Sequence, residues 1–233
     1  MPGPTIVTMG GGGFSMEPEN PLLDEYLLGL TGVARPRVCF VPTASGDSES
    51  YVARFTAAFE RLDCRPSHLS MFRRDGRDLR EFVLEQHLIY VGGGNTANLL
   101  AVWRTHGLVD LLREAWARGT VLAGVSAGSL CWFEGGVTDS FGPLAPLRDG
   151  VGFLPGTHCP HYDGEAERRP TYQRLIGEGT LSAGWACDDG AAIRWSGTTF
   201  AEAVSSRPEG RVYRVERVGG EVVEEPVEPR RLG

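Results

Sequence analysis

Short apolar runs alternate with amphipathic segments over the first 133 residues of the chain. The runs Thr5–Met9, Arg37–Val41, 67–72, 87–91 and 120–123 have the length and apolar density of buried strands. Between them, Leu22, Leu23, Tyr26, Leu27 and Leu30 gather on one side of a predicted helix over 20–30. Tyr51, Val52, Phe55, Ala58, Phe59 and Leu62 recur at helical spacing, with Asp47 and Ser48 placed to cap that helix. A short helix is predicted over 77–84, another around Leu99, Leu100, Val102 and Trp103, and a third over 108–118. Strands alternating with helices predict an α/β fold, a mostly parallel sheet with helices on both faces. Ligands of such sheets collect beyond the carboxyl ends of the strands. Glycine-rich segments at 10, 92 and 124 would all lie along that edge.

Beyond residue 133 the pattern changes. Leu130, Cys131, Trp132 and Phe133 can continue a buried helix, and 135–139 and 149–152 read as loops and short strands. A proline-interrupted loop spans 157–162, and 165–178 reads as a charged helix. Short strand candidates at 181–186, 191–195, 199–204 and 211–218 suggest a small antiparallel C-terminal extension. The acidic, proline-containing tail, about 220–233, is expected to fray. With no internal repeat and no long linker, 1–233 reads as one domain.

Composition narrows the partners. A formal charge of -7 argues against nucleic acid, which calls for a basic face. No apolar run approaches the ~18 residues of a membrane span. The first residues show no basic region followed by an apolar core, so no signal peptide is read there. The five cysteines are odd in number and form no C-x-x-C pair. Scattered reduced thiols in a cytoplasmic protein fit this best, and neither a disulfide framework nor a metal site is expected.

The candidate chemistry centres on Gly124-Val125-Ser126-Ala127-Gly128. A strand, a tight glycine-flanked turn and a helix form the setting of a nucleophile elbow. Ser126 would stand at its apex, and the Ala127 amide, at a helix N-terminus, faces a developing oxyanion. The plain alternative is a Gly-Ser turn between strand and helix. The four glycines at 10–13 lack both a G-K-[ST] and a dinucleotide fingerprint, and read as a tight turn near the rim. A serine nucleophile needs a base and a group that orients it. His68, His87 and His106 fit structural or exposed roles, leaving His158 and His161 after the elbow. Asp188-Asp189-Gly190 supplies carboxylates at a turn, where acids also serve as turn formers.

Three further segments join the elbow in a family pattern: Val91-Gly92-Gly93-Gly94-Asn95-Thr96 with Leu99-Leu100, Pro160-His161-Tyr162, and Asp189-Gly190. Together they resemble the S51 serine peptidases, the family of aspartyl dipeptidase (peptidase E) and, more distantly, cyanophycinase. The resemblance implies a sheet like that of class I glutamine amidotransferases, with serine as nucleophile. It implies Ser126 as nucleophile, His161 in preference to His158 as base, and the amides of Gly94 and Ala127 as oxyanion hole. Peptidase E has glutamate where this chain has Asp189, so Asp189 is the expected third member, with Asp188 as a possible helper. Arg169, or Arg168, is the candidate for a substrate carboxylate, and Asp139 for a free α-amino group. The expected activity is a serine peptidase on dipeptides or short peptides with a free N-terminus, including Asp-X, with no metal or organic cofactor. Its expected partner is a small peptide substrate, not nucleic acid or membrane, and the protein would be a monomer or homodimer. The alternatives are an amidotransferase-like amidohydrolase on a small amide, and a non-catalytic binding module on the same fold.

Overall fold

The structure is a computed structural model that describes residues 4–233. Residues 1–3, part of the segment read for a leader, lie outside the described residues. The chain begins β1 (Thr5–Met9), α1 (Gly13–Met16), α2 (Leu22–Leu30), β2 (Arg37–Val41), a 3-10 turn (Thr43–Ser45), α3 (Glu49–Phe59) and β3 (Arg65–His68). It continues α4 (Leu79–Leu84), β4 (Leu88–Val91), α5 (Thr96–Thr105), α6 (Leu108–Ala117), β5 (Val121–Val125), α7 (Ala127–Leu130), β6 (Phe133–Thr138), β7 (Ala145–Leu147) and β8 (Leu154–Cys159). The last part holds α8 (Arg168–Gly177), β9 (Gly184–Cys187), β10 (Ala191–Ser196), β11 (Thr199–Ser205), β12 (Val212–Val218), β13 (Glu221–Val227) and β14 (Arg230–Arg231).

Among the described residues these strands form two sheets. The larger has eight strands in the order β14-β11-β10-β1-β5-β4-β2-β3. Its β1, β5, β4, β2 and β3 are parallel, and β10 joins β1 antiparallel. Successive strand residues point to opposite faces, so the continuous apolar runs feed two cores. Val7, Met9, Val38, Phe40, Leu88, Tyr90 and Val121 pack with Leu23 and Leu27 of α2 and Phe55 and Phe59 of α3. Ile6, Cys39, Val41, Ile89, Val91 and Leu122 pack with Leu99 and Trp103 of α5 and Leu108 and Leu112 of α6. Helices on both faces of a mostly parallel sheet are the architecture expected from the alternation.

Phe14 seats α1, and with it the glycine run before it. Its ring lies 5.2–5.7 Å from those of Phe40, Tyr51, Phe55, Phe59 and Tyr90, mostly edge-on. Beneath it Asp24 is buried, one carboxyl oxygen accepting the Phe14 N–H at 2.7 Å and the other without a partner.

The second sheet has six strands in the order β13-β12-β9-β8-β6-β7. It is larger than the extension expected, and its centre, β6, β8 and β9, is parallel. Tyr172, Leu175 and Ile176 of α8 pack with Val137, Cys159, Ala186 and Val215.

Four expectations are corrected. The helix after the elbow ends at Leu130, and Phe133 opens β6 instead, because it pairs with Leu154 in the parallel ladder. The third strand covers Arg65–His68 rather than 67–72. Past it, the amides of Met71 and Phe72 turn to the Asp47 carboxylate at 2.7 and 2.8 Å. Asp47 therefore holds this turn, and Ser48 makes no side-chain cap on α3. The tail expected to fray is β13, paired with β12 from Val212↔Val227 to Val218↔Glu221, followed by β14 against β11.

The Asp24 carboxyl has a pKa pushed up to about 7, first by burial, against the Phe14 N–H bond that lowers it, with Glu25 adding to the rise. The folded chain thus holds a proton that the unfolded chain has released above its ordinary value of 3.8. Stability is expected to be full below that value, to fall as pH rises, and to level off once pH passes about 7. Asp24→Asn should flatten this slope, and above pH 7 should be more stable than the parent. Urea midpoints across the pH range check both.

Candidate active site

Two of the passages of the chain between the sheets, at β5–β6 and at β9–β10, carry candidate residues. Ser126 lies at the first, between β5 and α7, and Asp188-Asp189-Gly190 at the second. Ser126 has φ 57 and ψ -119, a conformation that side-chain-bearing residues rarely adopt. Within Val121 to Leu130 only Ser126 escapes burial. Its flanking glycines are a steric demand: a Cβ on Gly124 would stand 1.9 Å from the Gly128 carbonyl oxygen, and one on Gly128 2.3 Å from that of Val91. The Ser126 side chain faces the second glycine run, with its Cβ 3.2 Å and Oγ 3.6 Å from where a Gly93 Cβ would be.

Neither the Gly94 nor the Ala127 amide donates a hydrogen bond among the described residues. Ala127 N–H is one of the first donors of a helix, which have no partner inside it. Gly94 is held at φ 135 over the Ala44 carbonyl, which accepts the Asn95 N–H at 2.7 Å.

The Asp189 and His161 side chains meet: Asp189 Oδ1 accepts from His161 Nδ1 at 2.7 Å. With Nδ1 as donor, Nε2 is left as the acceptor nitrogen. Burial works to raise the Asp189 carboxyl. The hydrogen bond and charge of His161, with Arg207 and Arg168 farther off, outweigh it and hold the carboxyl below its ordinary value. Asp163 Oδ1 accepts the Asp189 N–H at 2.8 Å. Gly164 closes over the same carboxylate, leaving no room for a Cβ, which would be 2.5 Å from Oδ2. Among the described residues Ser126 and His161 share no hydrogen bond, and bonds of this kind often tighten only around a bound substrate.

His158 and Asp188 are turned away. His158 lies inside β8, not in the loop expected, and is fully buried. Its Nε2 meets Ser129 Oγ at 2.8 Å and its Nδ1 the Trp185 carbonyl at 3.1 Å. Burial pushes its pKa down to about 3 despite the bond to Trp185. Asp188 Oδ2 accepts the Arg211 N–H at 3.0 Å, fastening the turn to β12.

The model of peptidase family S51 matches residues 6–203. The chain belongs to peptidase family S51. It is a serine-type peptidase. An uncharacterized peptidase, YgaJ, of Bacillus subtilis is 54% identical over 228 residues, 98% of this chain and 99% of that one. Peptidase E of Streptomyces coelicolor is 31% identical over 146 residues, 60% of this chain and 58% of that one. The crystal structure of a peptidase from an acI-B1 Actinobacterium shares the fold, with TM-score 0.74 at 20% identity over 97% of this chain and 95% of that one.

In this S51 peptidase both candidate arginines already have acidic neighbours. Arg169 pairs with Glu224 of β13 and lies 5.4 and 5.1 Å from the Tyr162 and Tyr213 ring centres. Arg168 is buried, with Nε on Glu165 at 2.7 Å and Nη1 on the Val137 carbonyl at 3.2 Å. Its Nη2 stands 4.0 Å from Asp139, whose carboxylate is exposed. The loop after Asp139 is tied to the Gly94 segment, since Asn95 Nδ2 donates to the Ser140 carbonyl at 3.0 Å. Sequence reasoning missed Asp163, Gly164 and Glu224. Asp163 and Gly164 directly follow the Pro160-His161-Tyr162 motif, whereas Glu224 stands far from any.

The elbow tolerates no bulk at its second glycine. Gly128→Ala is expected to cost about 1–3 kcal/mol, the usual range for overpacking, read as a lowered urea midpoint.

Proposed function

We propose that this S51 peptidase hydrolyses dipeptides or short peptides with a free N-terminus through a Ser126-His161-Asp189 triad, in the cytoplasm. The observation that carries the reading is the His161–Asp189 hydrogen bond of 2.7 Å, formed at the same sheet edge as a strained, accessible Ser126. His161 Nε2 takes the Ser126 proton as Oγ attacks the substrate carbonyl, and returns it to the leaving amine. The Gly94 and Ala127 amides bind the oxyanion, and Asp189 stabilises the imidazolium that forms. Water then releases the acyl group by the same steps. The exposed carboxylate of Asp139 is the proposed counter-ion for the α-amino group.

An N-terminal aspartate would compete with Glu224 for Arg169 and with Glu165 for Arg168. The proposed preference for Asp-X over Ala-X is therefore small. Five unpaired buried cysteines support the proposed reducing compartment.

Ser126→Ala is expected to lower kcat on a dipeptide by ~10⁴ or more, and to lose labelling by a serine-reactive fluorophosphonate. Asp189→Asn should cost about 10⁴-fold, and Asp188→Asn less than ~10-fold, since its carboxylate faces β12. Retained turnover in the serine variant would overturn the reading. Arg169→Ala is expected to change the ratio of kcat/KM for Asp-X and Ala-X by less than ~3-fold, its charge being already paired. A larger fall would return Arg169 to the substrate site.

A further inference from the structure

His161 adopts φ 53, a left-handed conformation that a residue with a side chain keeps only where its surroundings impose it. Two backbone bonds help: Tyr162 N–H donates to the Cys187 carbonyl at 3.1 Å, and Glu165 N–H to the His161 carbonyl at 3.2 Å. The third anchor is the adjoining side chain. The Tyr162 ring is buried, 6.2 Å from Tyr172 and 5.2 Å from Tyr213. Its hydroxyl donates to Glu224 Oε2 at 2.5 Å. Burial, then the bond to Glu224, pushes the hydroxyl pKa far up, so it stays protonated and is the donor.

Glu224 is more than a single contact. Its Oε2 also accepts from Gln173 Nε2 of α8 at 2.7 Å, and its Oε1 from Arg169. Its side chain is only 13% exposed, so these bonds are shielded from water. One carboxylate of β13 therefore ties together the His161 loop and α8. It lies beyond residue 203, where the match to the family ends.

We propose that Glu224 is a positioning residue for His161, acting through the Tyr162 hydroxyl to hold the imidazole in line with Asp189. The inference rests on the reading of His161 as the base. Without the clamp, Tyr162 keeps its packing but loses the fixed tip, and the neighbouring strained residue gains freedom to relax. The ring of His161 then spends less time in the geometry that transfers a proton, while Asp139 and the Gly94 and Ala127 amides, proposed to hold an Ala-X substrate, make no hydrogen bond with Glu224 among the described residues. The signature is a fall in kcat with KM kept.

The test measures Tyr162→Phe, Glu224→Ala, Glu224→Gln and the double variant Tyr162→Phe/Glu224→Ala on one dipeptide. Proton NMR of the His161 Nδ1–H accompanies the kinetics, the resonance being identified by its loss in Asp189→Asn. Tyr162→Phe and Glu224→Ala are expected to lower kcat about 10-fold, as small misplacements of a reacting group do, with KM within ~2-fold. Glu224→Gln keeps an acceptor for the hydroxyl and should recover most of the loss. The double variant should lose no more than the worse single one, because both remove one interaction. The Nδ1–H signal should shift or broaden in the two single variants. A kcat within ~2-fold of the parent, losses that multiply in the double variant, or an unchanged Nδ1–H signal would each overturn the proposal. If Glu224→Ala does not fold, Tyr162→Phe decides alone, since it removes one oxygen and no ring. The NMR arm reads the imidazole's position whether or not Ser126→Ala abolishes turnover, so failure of the clamp and failure of the triad give different results.

Discussion

The site depends on how the carboxyl end of β1 is bonded on both sides. The Met9 carbonyl accepts the Ser126 N–H at 3.2 Å, and the Gly11 carbonyl accepts the Gly190 N–H at 3.0 Å. Gly11 and Asp189 form a parallel bridge. From Met9 to Gly11 is two Cα steps, at most about 7 Å. The serine turn and the acid turn are thus fastened to opposite sides of one short stretch of backbone. A slip of β1 by one residue would turn its apolar side chains to the wrong faces of the sheet. The two cores that forbid this slip therefore also set where the two turns stand.

Positive φ at residues with side chains is confined, among the described residues, to Asp47, Ser126 and His161. Ser126 and His161 belong to the proposed triad. Asp47 instead organises the turn after β3, whose amides its carboxylate collects. Each such residue costs of order 1–3 kcal/mol and persists because its neighbours determine it. At Ser126 those neighbours are the glycines that let α7 sit against β4 and β5. At His161 they are the hydrogen bond to Asp189 and a buried tyrosine.

The central strands were legible because a sheet covered on both faces demands unbroken apolar runs, and Val38–Val41, Leu88–Val91 and Val121–Val125 supply them. β3 carries Arg65-Pro66-Ser67-His68, an edge strand with one neighbour and no apolar signature. The reading slid toward the more apolar residues that follow. At Cys131–Phe133 an apolar run fitted helix and strand alike, and only pairing with β8 decided it. β13 reads as an acidic tail because Glu221, Glu224, Glu225 and Pro226 mask its strand character. Pro226 is tolerated there since β13 is the outermost strand of its sheet. The candidate site was legible where glycine and chemistry coincide in one motif. Glu224 was not, because its meaning lies in a contact with Tyr162 sixty-two positions earlier.

The hairpin of β12 and β13 has a consequence for how this chain is divided. All three proposed triad members lie within residues 6–203, the part that the family pattern recognises. A fragment trimmed to that stretch would look complete by its motifs. It would nonetheless lose the Arg211 N–H that fastens Asp188, the Tyr213 ring beside Tyr162, and Glu224 itself. The recognisable segment contains the reacting groups, and the unremarkable last thirty residues supply part of the wall that holds them in place.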